Sequence, residues 1–259
     1  MRPKFGLWLV LGAVIGVVAC AAAPELPPVP RYTPAQLASV HWRAVLVAGD
    51  GRLRVFDDAV ASMADWLHQR GVGPDEIARL SATPATIAGH GADSASWGHI
   101  LHAIRDMKAG PGEACLVYVT SHGIRGAGVE LSFDGAVLLP GELDRALAIG
   151  CGNAPTVAIV SACFSGSFAA PPMERANRIV ITAARADRTS FGCSADQTYT
   201  YFDRCLLANL DHAPTWQALF DAARACVEQR ERRSRFVSSQ PQGWFGQAVA
   251  AMPLPGSAP

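Results

Sequence analysis

The sequence predicts an α/β fold with a mostly parallel central sheet and helices on both faces. Strand-like and helix-like segments alternate along the chain with short links, which is typical of a covered parallel sheet. Two runs, Cys115–Gly123 and Thr156–Gly166, are rich in β-branched residues and too short for globular helices, so both are predicted as buried strands. A hydrophobic content of 50% in 259 residues fits a single domain of this class.

The N-terminus has the pattern of a targeting segment. Arg2 and Lys4 precede the apolar run Phe5–Val18, which is too short to span a bilayer comfortably. Small residues then lead into Cys20, and this ending resembles a bacterial lipobox. The resemblance implies that residues 1–19 are a signal peptide, that Cys20 is lipidated, and that the protein is exported across the inner membrane. An ordinary cleaved signal with an incidental cysteine and a retained membrane anchor are the alternatives.

The residues after the lipobox predict where an anchored protein resides. Ala21 follows Cys20, whereas an aspartate there tends to hold bacterial lipoproteins at the inner membrane. By that analogy we expect the periplasmic face of the outer membrane, held by acyl chains. Residues 20–38 begin rich in Pro and Ala and are predicted as a tether, 39–252 as the folded domain and 253–259 as a disordered tail.

The predicted elements follow each other in a regular order. The helix Phe56–Arg70 has an apolar stripe and ends at Gly71, and the hairpin turns at Asp134-Gly135. We expect Ser94 to cap a helix that runs to Lys108. The remaining predicted segments are the strands His41–Gly49, Glu76–Leu80, Arg178–Ala184 and Gln242–Val249, the hairpin Val129–Phe133 with Ala136–Leu139, the helices Gly141–Ile149, Thr200–Leu210 and Thr215–Arg233, and the polar loop Arg185–Thr198.

Charge and cysteine usage exclude several classes of function. The chain has 22 basic and 22 acidic residues, so nothing indicates a nucleic-acid partner. No CxxC pair or Cys/His cluster has zinc-site spacing, and His99 and His102 lack a third ligand, so no metal or other cofactor is expected. An exported protein can form disulfides. If Cys163 is a free thiol, at least one further cysteine is unpaired within the chain among Cys115, Cys151, Cys193, Cys205 and Cys226.

His122 and Cys163 are the candidate reactive residues, because each stands where a predicted strand ends. The carboxyl ends of parallel strands are where open α/β sheets bind ligands. A thiolate is a nucleophile, and an imidazole can accept the thiol proton and later protonate a leaving group. The N–H groups of Gly123 and Cys163 are candidates for an oxyanion hole. A buried cysteine is more often inert core, as expected for Cys115, and the sequence alone does not show that the two strands are adjacent.

Three motifs resemble the legumain-like cysteine peptidases, in particular their bacterial members. These are V-T-S-H-G at 119–123, V-S-A-C-F-S-G at 160–166 and I-V-I-T-A-A-R-A-D-R-T-S-F-G-C-S at 179–194, within a similarity that covers roughly Trp42–Gly246. The resemblance implies a caspase-like three-layer sandwich. It also implies a cysteine-type endopeptidase that cleaves peptides or proteins through a thioester, with His122 and Cys163 as the catalytic dyad and Gly123 as an oxyanion donor.

The chain departs from the legumain pattern around the dyad. Ser121 stands where legumains have an aspartate before the histidine, and the acidic specificity position falls near Asp203 or Arg204, so a preference for Asn is not implied. The loop after the I-T-A-A strand borders the substrate cleft in this fold, although a solvated polar loop is the alternative. The candidate substrate contacts on this loop are Arg185, Asp187, Arg188 and Ser190. Phe56 is a further candidate, because the basic specificity position of the family falls on it.

Two other functions stay open at this point. A catalytically silent scaffold or binding lipoprotein would keep the fold without turnover. A peptide transferase would use the same dyad, because an acyl-enzyme can be captured by an amine as well as by water. A serine nucleophile at Ser165 or Ser167 is disfavoured, since the G-x-S-x-G pattern is absent.

Overall fold

A computed structural model describes residues 31–89 and 91–256. Cys20, the signal segment and most of the predicted tether lie outside these residues. The strands are β1 (His41–Ala48), β2 (Ile77–Ser81), β3 (Asp93–Ser94), β4 (Glu113–Thr120), β5 (Val129–Leu131), β6 (Ala136–Leu138), β7 (Thr156–Ser161), β8 (Arg178–Thr182) and β9 (Gln242–Phe245). The helices are α1 (Pro34–Ala38), α2 (Arg54–Gln69), α3 (Pro84–Ala88), α4 (Trp97–Asp106), α5 (Pro140–Gly150), α6 (Tyr201–Asn209) and α7 (Trp216–Ser234), with short 3₁₀ turns at Pro74–Glu76 and Ser165–Ala169.

One seven-stranded sheet organises the molecule, in the order β3-β2-β1-β4-β7-β8-β9. Every neighbouring pair is parallel except β8 and β9, which are antiparallel. The hairpin β5–β6 forms a separate two-stranded sheet. The predicted α/β fold with a mostly parallel sheet is therefore confirmed.

Helices cover both faces of the sheet because alternate residues of the central strands point to opposite sides. Leu116 on β4 packs into a core shared with α2, α6 and α7, and Val117 packs into a second core with α4 and α5. Both faces of the sheet are buried, which explains why the sequences of β4 and β7 are continuously apolar and do not alternate between apolar and polar residues. None of the helices within 31–89 and 91–256 has the length and apolar character that crossing a bilayer requires.

The folded domain extends beyond both predicted boundaries. Thr33 and Gln36 cap each other at the start of α1, and Leu37 is buried in the core, so this end of the predicted tether is part of the domain. At the other end Pro253 pairs with Thr215 and Leu254 is buried. The predicted tail was therefore wrong at its start, because the apolar side chain of Leu254 completes the core.

One smaller expectation is corrected. Ser96, rather than Ser94, caps α4 through its hydroxyl, and Ser94 lies in the short strand β3.

Cys115 is buried in the core, as predicted, and it forms a disulfide with Cys151 at the end of α5.

The second disulfide joins Cys205 on α6 to Cys226 on α7. Cys163 and Cys193 are the free cysteines among the described residues. The prediction that one cysteine besides Cys163 is unpaired within the chain is confirmed.

Candidate active site

His122 and Cys163 follow the ends of two adjacent parallel strands, at matching positions. Thr120 on β4 is paired with Ser161 on β7, and each reactive residue lies two positions beyond its paired residue. The N–H of Ser121 also donates to the carbonyl of Ser161 at 3.1 Å, which extends the pairing past the strand ends. The adjacency that the sequence left open is therefore present in the fold.

The His122 ring packs against the side chain of Phe56 on α2. The two ring centroids are 5.3 Å apart with planes at 80°, an edge-to-face contact. Phe56 is completely buried. The prediction that Phe56 contacts substrate is therefore corrected, because this side chain lies on the inward face of α2 and supports the His122 ring instead.

The backbone of His122 is held by the β5–β6 hairpin. Its carbonyl accepts the N–H of Glu130 at 2.9 Å, and the buried Ser121 hydroxyl donates to the Glu130 carbonyl at 2.7 Å. Ser121 therefore anchors the strand end in the place where legumains have an acid. The His122 ring makes no hydrogen bond to the parts of the chain that the structure describes, which leaves its nitrogens available for a thiol or a substrate.

The Cys163 sulfur lies against Ser190 in the loop after β8. The Ser190 N–H donates to Sγ at 3.3 Å, and the carbonyl and hydroxyl oxygens of Ser190 are each 3.6 Å from Sγ. Cys163 is partly buried, and these contacts orient its sulfur. Among the predicted substrate-contact residues, Ser190 therefore contacts the sulfur of the candidate nucleophile.

A sharp turn follows the cysteine. Phe164 has φ +58°, a left-handed conformation that costs a non-glycine residue roughly 1–2 kcal/mol. Its N–H donates to the Arg188 carbonyl at 2.7 Å, so the turn and the β8 loop are joined. Ser165 is buried and its hydroxyl donates to the Ala162 carbonyl at 2.7 Å, a position unsuited to a nucleophile.

Two unpaired N–H groups stand at the same edge of the sheet. A Cβ on Gly123 would overlap the carbonyl oxygen of Cys163 and lie 3.1 Å from its nitrogen, so the two backbones are in close contact. Within residues 31–89 and 91–256, neither the Gly123 N–H nor the Cys163 N–H donates a hydrogen bond. Backbone donors without partners are rare in folded proteins, and these two are the N–H groups that the sequence predicts as oxyanion donors.

A buried carboxylate lies behind the two strand ends. Asp203 accepts hydrogen bonds from the hydroxyls of Tyr118 at 2.6 Å, Thr120 at 2.7 Å and Thr200 at 2.9 Å. Burial raises the pKa of Asp203, while these hydroxyl donors oppose the rise. The sequence offered one signal for this network, since Thr200 precedes α6 at the capping distance from Asp203.

Cys193 is the second free thiol, and its surroundings differ from those of Cys163. Burial raises the pKa of Cys193 to about 12, and the charges of Cys163 and Asp203 act in the same direction. A thiol with such a pKa stays protonated at neutral pH and is a poor nucleophile. Cys193 is therefore not a candidate nucleophile.

The charged residues of the β8 loop bind one another. Arg185 donates to both carboxylate oxygens of Asp187, at 2.5 and 2.8 Å, and this lowers the pKa of Asp187 to about 2. Arg188 donates to the Ser238 carbonyl at 3.4 Å. Contact of these three side chains with substrate stays a prediction. No group of three or more His, Cys, Asp or Glu side chains in the described ranges is placed to hold a metal ion.

Comparison with known proteins identifies the family. A family model described as the peptidase C13 family matches residues 93–251, more than half of the chain. The chain belongs to the peptidase C13 family. The match includes His122, Cys163 and the β8 loop, and family membership makes the chain a legumain-like cysteine peptidase by kind. No curated protein matches the chain.

The fold of this C13 chain is caspase-like. It is similar to the crystal structure of caspase-1 from Spodoptera frugiperda, with a TM-score of 0.58 over 84% of this chain and 92% of that chain. The two sequences are 14% identical, so the likeness concerns the fold alone. The predicted caspase-like α/β architecture is confirmed.

Proposed function

We propose that this C13 protein is a cysteine-type endopeptidase with Cys163 as nucleophile and His122 as general base and acid. The observation that carries the proposal is the matched position of the two residues beyond the paired ends of β4 and β7. The unpaired N–H groups of Gly123 and Cys163 beside them support it, because such donors are what a tetrahedral intermediate requires.

The reaction follows from these roles. His122 accepts the thiol proton of Cys163, and the sulfur attacks the substrate carbonyl carbon to give a tetrahedral oxyanion that accepts hydrogen bonds from the two N–H groups. His122 then gives the proton to the departing amine as the C–N bond breaks, which leaves a thioester on Cys163. Water, deprotonated by His122, attacks the thioester, releases the carboxylic acid and restores the thiol.

We also propose that the protein is a lipoprotein facing the periplasm. The lipobox-like segment ending at Cys20 supports this, and so do the disulfides Cys115–Cys151 and Cys205–Cys226, since such bonds persist in oxidising compartments. Expression in a bacterium that processes lipoproteins should give an N-terminal Cys20 carrying lipid by mass spectrometry. A Cys20→Ser variant that fractionates with membranes like the wild type would contradict the anchor.

A peptide library tests the enzyme class. The wild type, Cys163→Ala and, as a matched control at the other free cysteine, Cys193→Ser should be incubated with the library and the products sequenced by mass spectrometry. We expect cleavage by the wild type and Cys193→Ser and none by Cys163→Ala; equal cleavage by all three would reject the assignment. Adding an amine acceptor separates the alternative, because a transferase would give ligated products in place of acids.

A further inference from the structure

An apolar surface lies beside the candidate nucleophile, and we call it the aromatic shelf: Phe191, Tyr201, Phe236 and Val237. The rings of Phe191 and Phe236 are stacked with centroids 4.4 Å apart and planes at 12°, and Tyr201 borders them at 6.1 Å from Phe236. Phe236 is 46% exposed and Val237 is 68% exposed. Large apolar side chains grouped at the surface indicate a site of contact with another molecule.

The shelf is continuous with the catalytic edge. Ser190, which contacts the Cys163 sulfur, immediately precedes Phe191. The segment that carries Phe236 is joined to the same loop, because the Arg185 N–H donates to the Ser239 carbonyl at 2.9 Å. A peptide whose carbonyl lies at Cys163 therefore has the shelf within reach of its neighbouring side chains.

Hydrogen bonds to the backbone fix the segments that carry the shelf. Glu231 is buried at the end of α7, and its two carboxylate oxygens accept the Ser239 N–H at 3.1 and 3.0 Å. The Phe236 N–H donates to the Glu231 carbonyl at 2.9 Å, and the Tyr201 N–H donates to the Phe191 carbonyl at 2.9 Å. These bonds hold the backbone on both sides of the shelf, so the exposed side chains project from an ordered backbone.

The strand order decides which half of a substrate reaches the shelf. β7, which carries Cys163, lies between β4, which carries His122, and β8, which leads to Phe191. Since His122 protonates the departing amine, the amine half of the substrate lies on the β4 side. The acyl half then lies on the β8 side, over Ser190 and the shelf.

We propose that the aromatic shelf binds an apolar side chain of the peptide substrate, on the acyl side of the bond that is cleaved. The inference rests on the proposed function and adds a substrate class to it, namely peptides with an aliphatic or aromatic residue a short distance before the scissile bond. The exposed parts of the Phe191 and Phe236 rings offer apolar contact area, and Arg230 borders the shelf with its guanidinium 4.8 Å from the Tyr201 ring centroid. An apolar side chain therefore gains more from the two phenyl rings than a charged one, which loses hydration there.

Covalent labelling tests the shelf independently of turnover. The mature chain is treated with peptide-based thiol alkylators that differ only in having an apolar or an acidic residue at the positions before the electrophile, and with iodoacetamide, which carries no peptide. The variants are Phe236→Ala and Val237→Ser, and the control is Ile149→Ser, an apolar residue on α5, away from the shelf, whose 63% exposure lies between theirs.

We expect the wild type to prefer the apolar probes, and Phe236→Ala to lower their labelling rate about tenfold or more while the iodoacetamide rate is unchanged. Val237→Ser should have a smaller effect of the same kind, and Ile149→Ser none. An unchanged preference in Phe236→Ala overturns the subsite, even if peptides are cleaved normally. If the preference disappears with Phe236 but no peptide bond is ever hydrolysed, the subsite stands and the proposed function fails.

Discussion

Gly123 lies with its Cα against the backbone of Cys163, in a space where a Cβ would overlap the Cys163 carbonyl oxygen. This contact joins the ends of β4 and β7, where the N–H groups of both residues have no partner within residues 31–89 and 91–256. The glycine is therefore required by close approach of the two backbones, and its replacement has a defined consequence.

Gly123→Ala should reduce kcat/KM by about 10²-fold or more, because the added methyl group separates the two oxyanion donors. Steady-state kinetics on a peptide substrate measures this. Gly98→Ala is the matched control, since Gly98 lies in the first turn of α4 and a methyl group there would meet no other atom within 4 Å. The control should keep full activity and a thermal midpoint at or above that of the wild type. A Gly123→Ala enzyme within twofold of wild-type activity would refute the assigned role.

The two free thiols should react at very different rates. In native protein carrying Cys20→Ser, we expect one fast equivalent of alkylation at neutral pH, at Cys163, because the Cys193 pKa of about 12 keeps that thiol protonated. Unfolding without reductant should expose both thiols. Cys163→Ala removes the fast equivalent and serves as the control. Peptide mapping that finds Cys193 labelled as fast as Cys163 in the native state would contradict this account.

Phe56→Leu should lower activity beyond its effect on stability. The substitution removes the edge-to-face contact with His122 and costs about 1–2 kcal/mol of unfolding free energy. Phe202→Leu provides the comparison, since Phe202 is equally buried in the same core. Both variants should lose similar stability in urea titrations, but only Phe56→Leu should lose kcat severalfold. Equal kcat in the two variants would show that the His122 ring needs no support from Phe56.

Asp203→Asn should destabilise the protein by an amount that depends on pH. The folded-state pKa of Asp203 is raised, so its stabilising contribution is present below the unfolded value of about 3.9 and is lost as the pH rises through the folded value. Asparagine does not titrate, and its amide group leaves hydroxyl donors of the network unpaired, at a cost of about 1–3 kcal/mol.

The difference in unfolding free energy between wild type and Asp203→Asn should therefore be larger near pH 4 than near neutral pH. Urea titrations of both proteins across that range measure it. A difference that grows with pH would mean that the folded state favours the charged carboxylate, contrary to the burial of Asp203.

The central strands were predictable because their composition is decisive. β4, β7 and β8 are short β-branched runs bounded by polar or glycine-containing turns, a pattern that favours buried strands over helices. The ends of the domain were not predictable in the same way. α1 is a single turn whose formation depends on burying Leu37, and Leu254 is placed by contacts made far away in the sequence.

Some residues of the candidate site were likewise predictable from the sequence, and others were not. His122, Gly123 and Cys163 were predicted because each follows a strand, where topology alone places it at the sheet edge. Phe56 differs, because its position by resemblance to the family does not show whether it lies on the inward or the outward face of α2, and it lies on the inward one. The contact of Ser190 with the sulfur depends on loop geometry, for which residue spacing along the chain carries no signal.

We predict that catalysis passes through a thioester on Cys163. To test this, the wild type is quenched with acid during turnover of a peptide substrate, and the mass of any covalent acyl group is mapped. In the wild type we predict an adduct on Cys163 with the mass of the acyl half of the substrate. The adduct should not accumulate in His122→Gln and should be absent from Cys163→Ala, although all three proteins are folded. Peptide cleavage that persists in Cys163→Ala, or an acyl group that maps to another residue, would contradict the account.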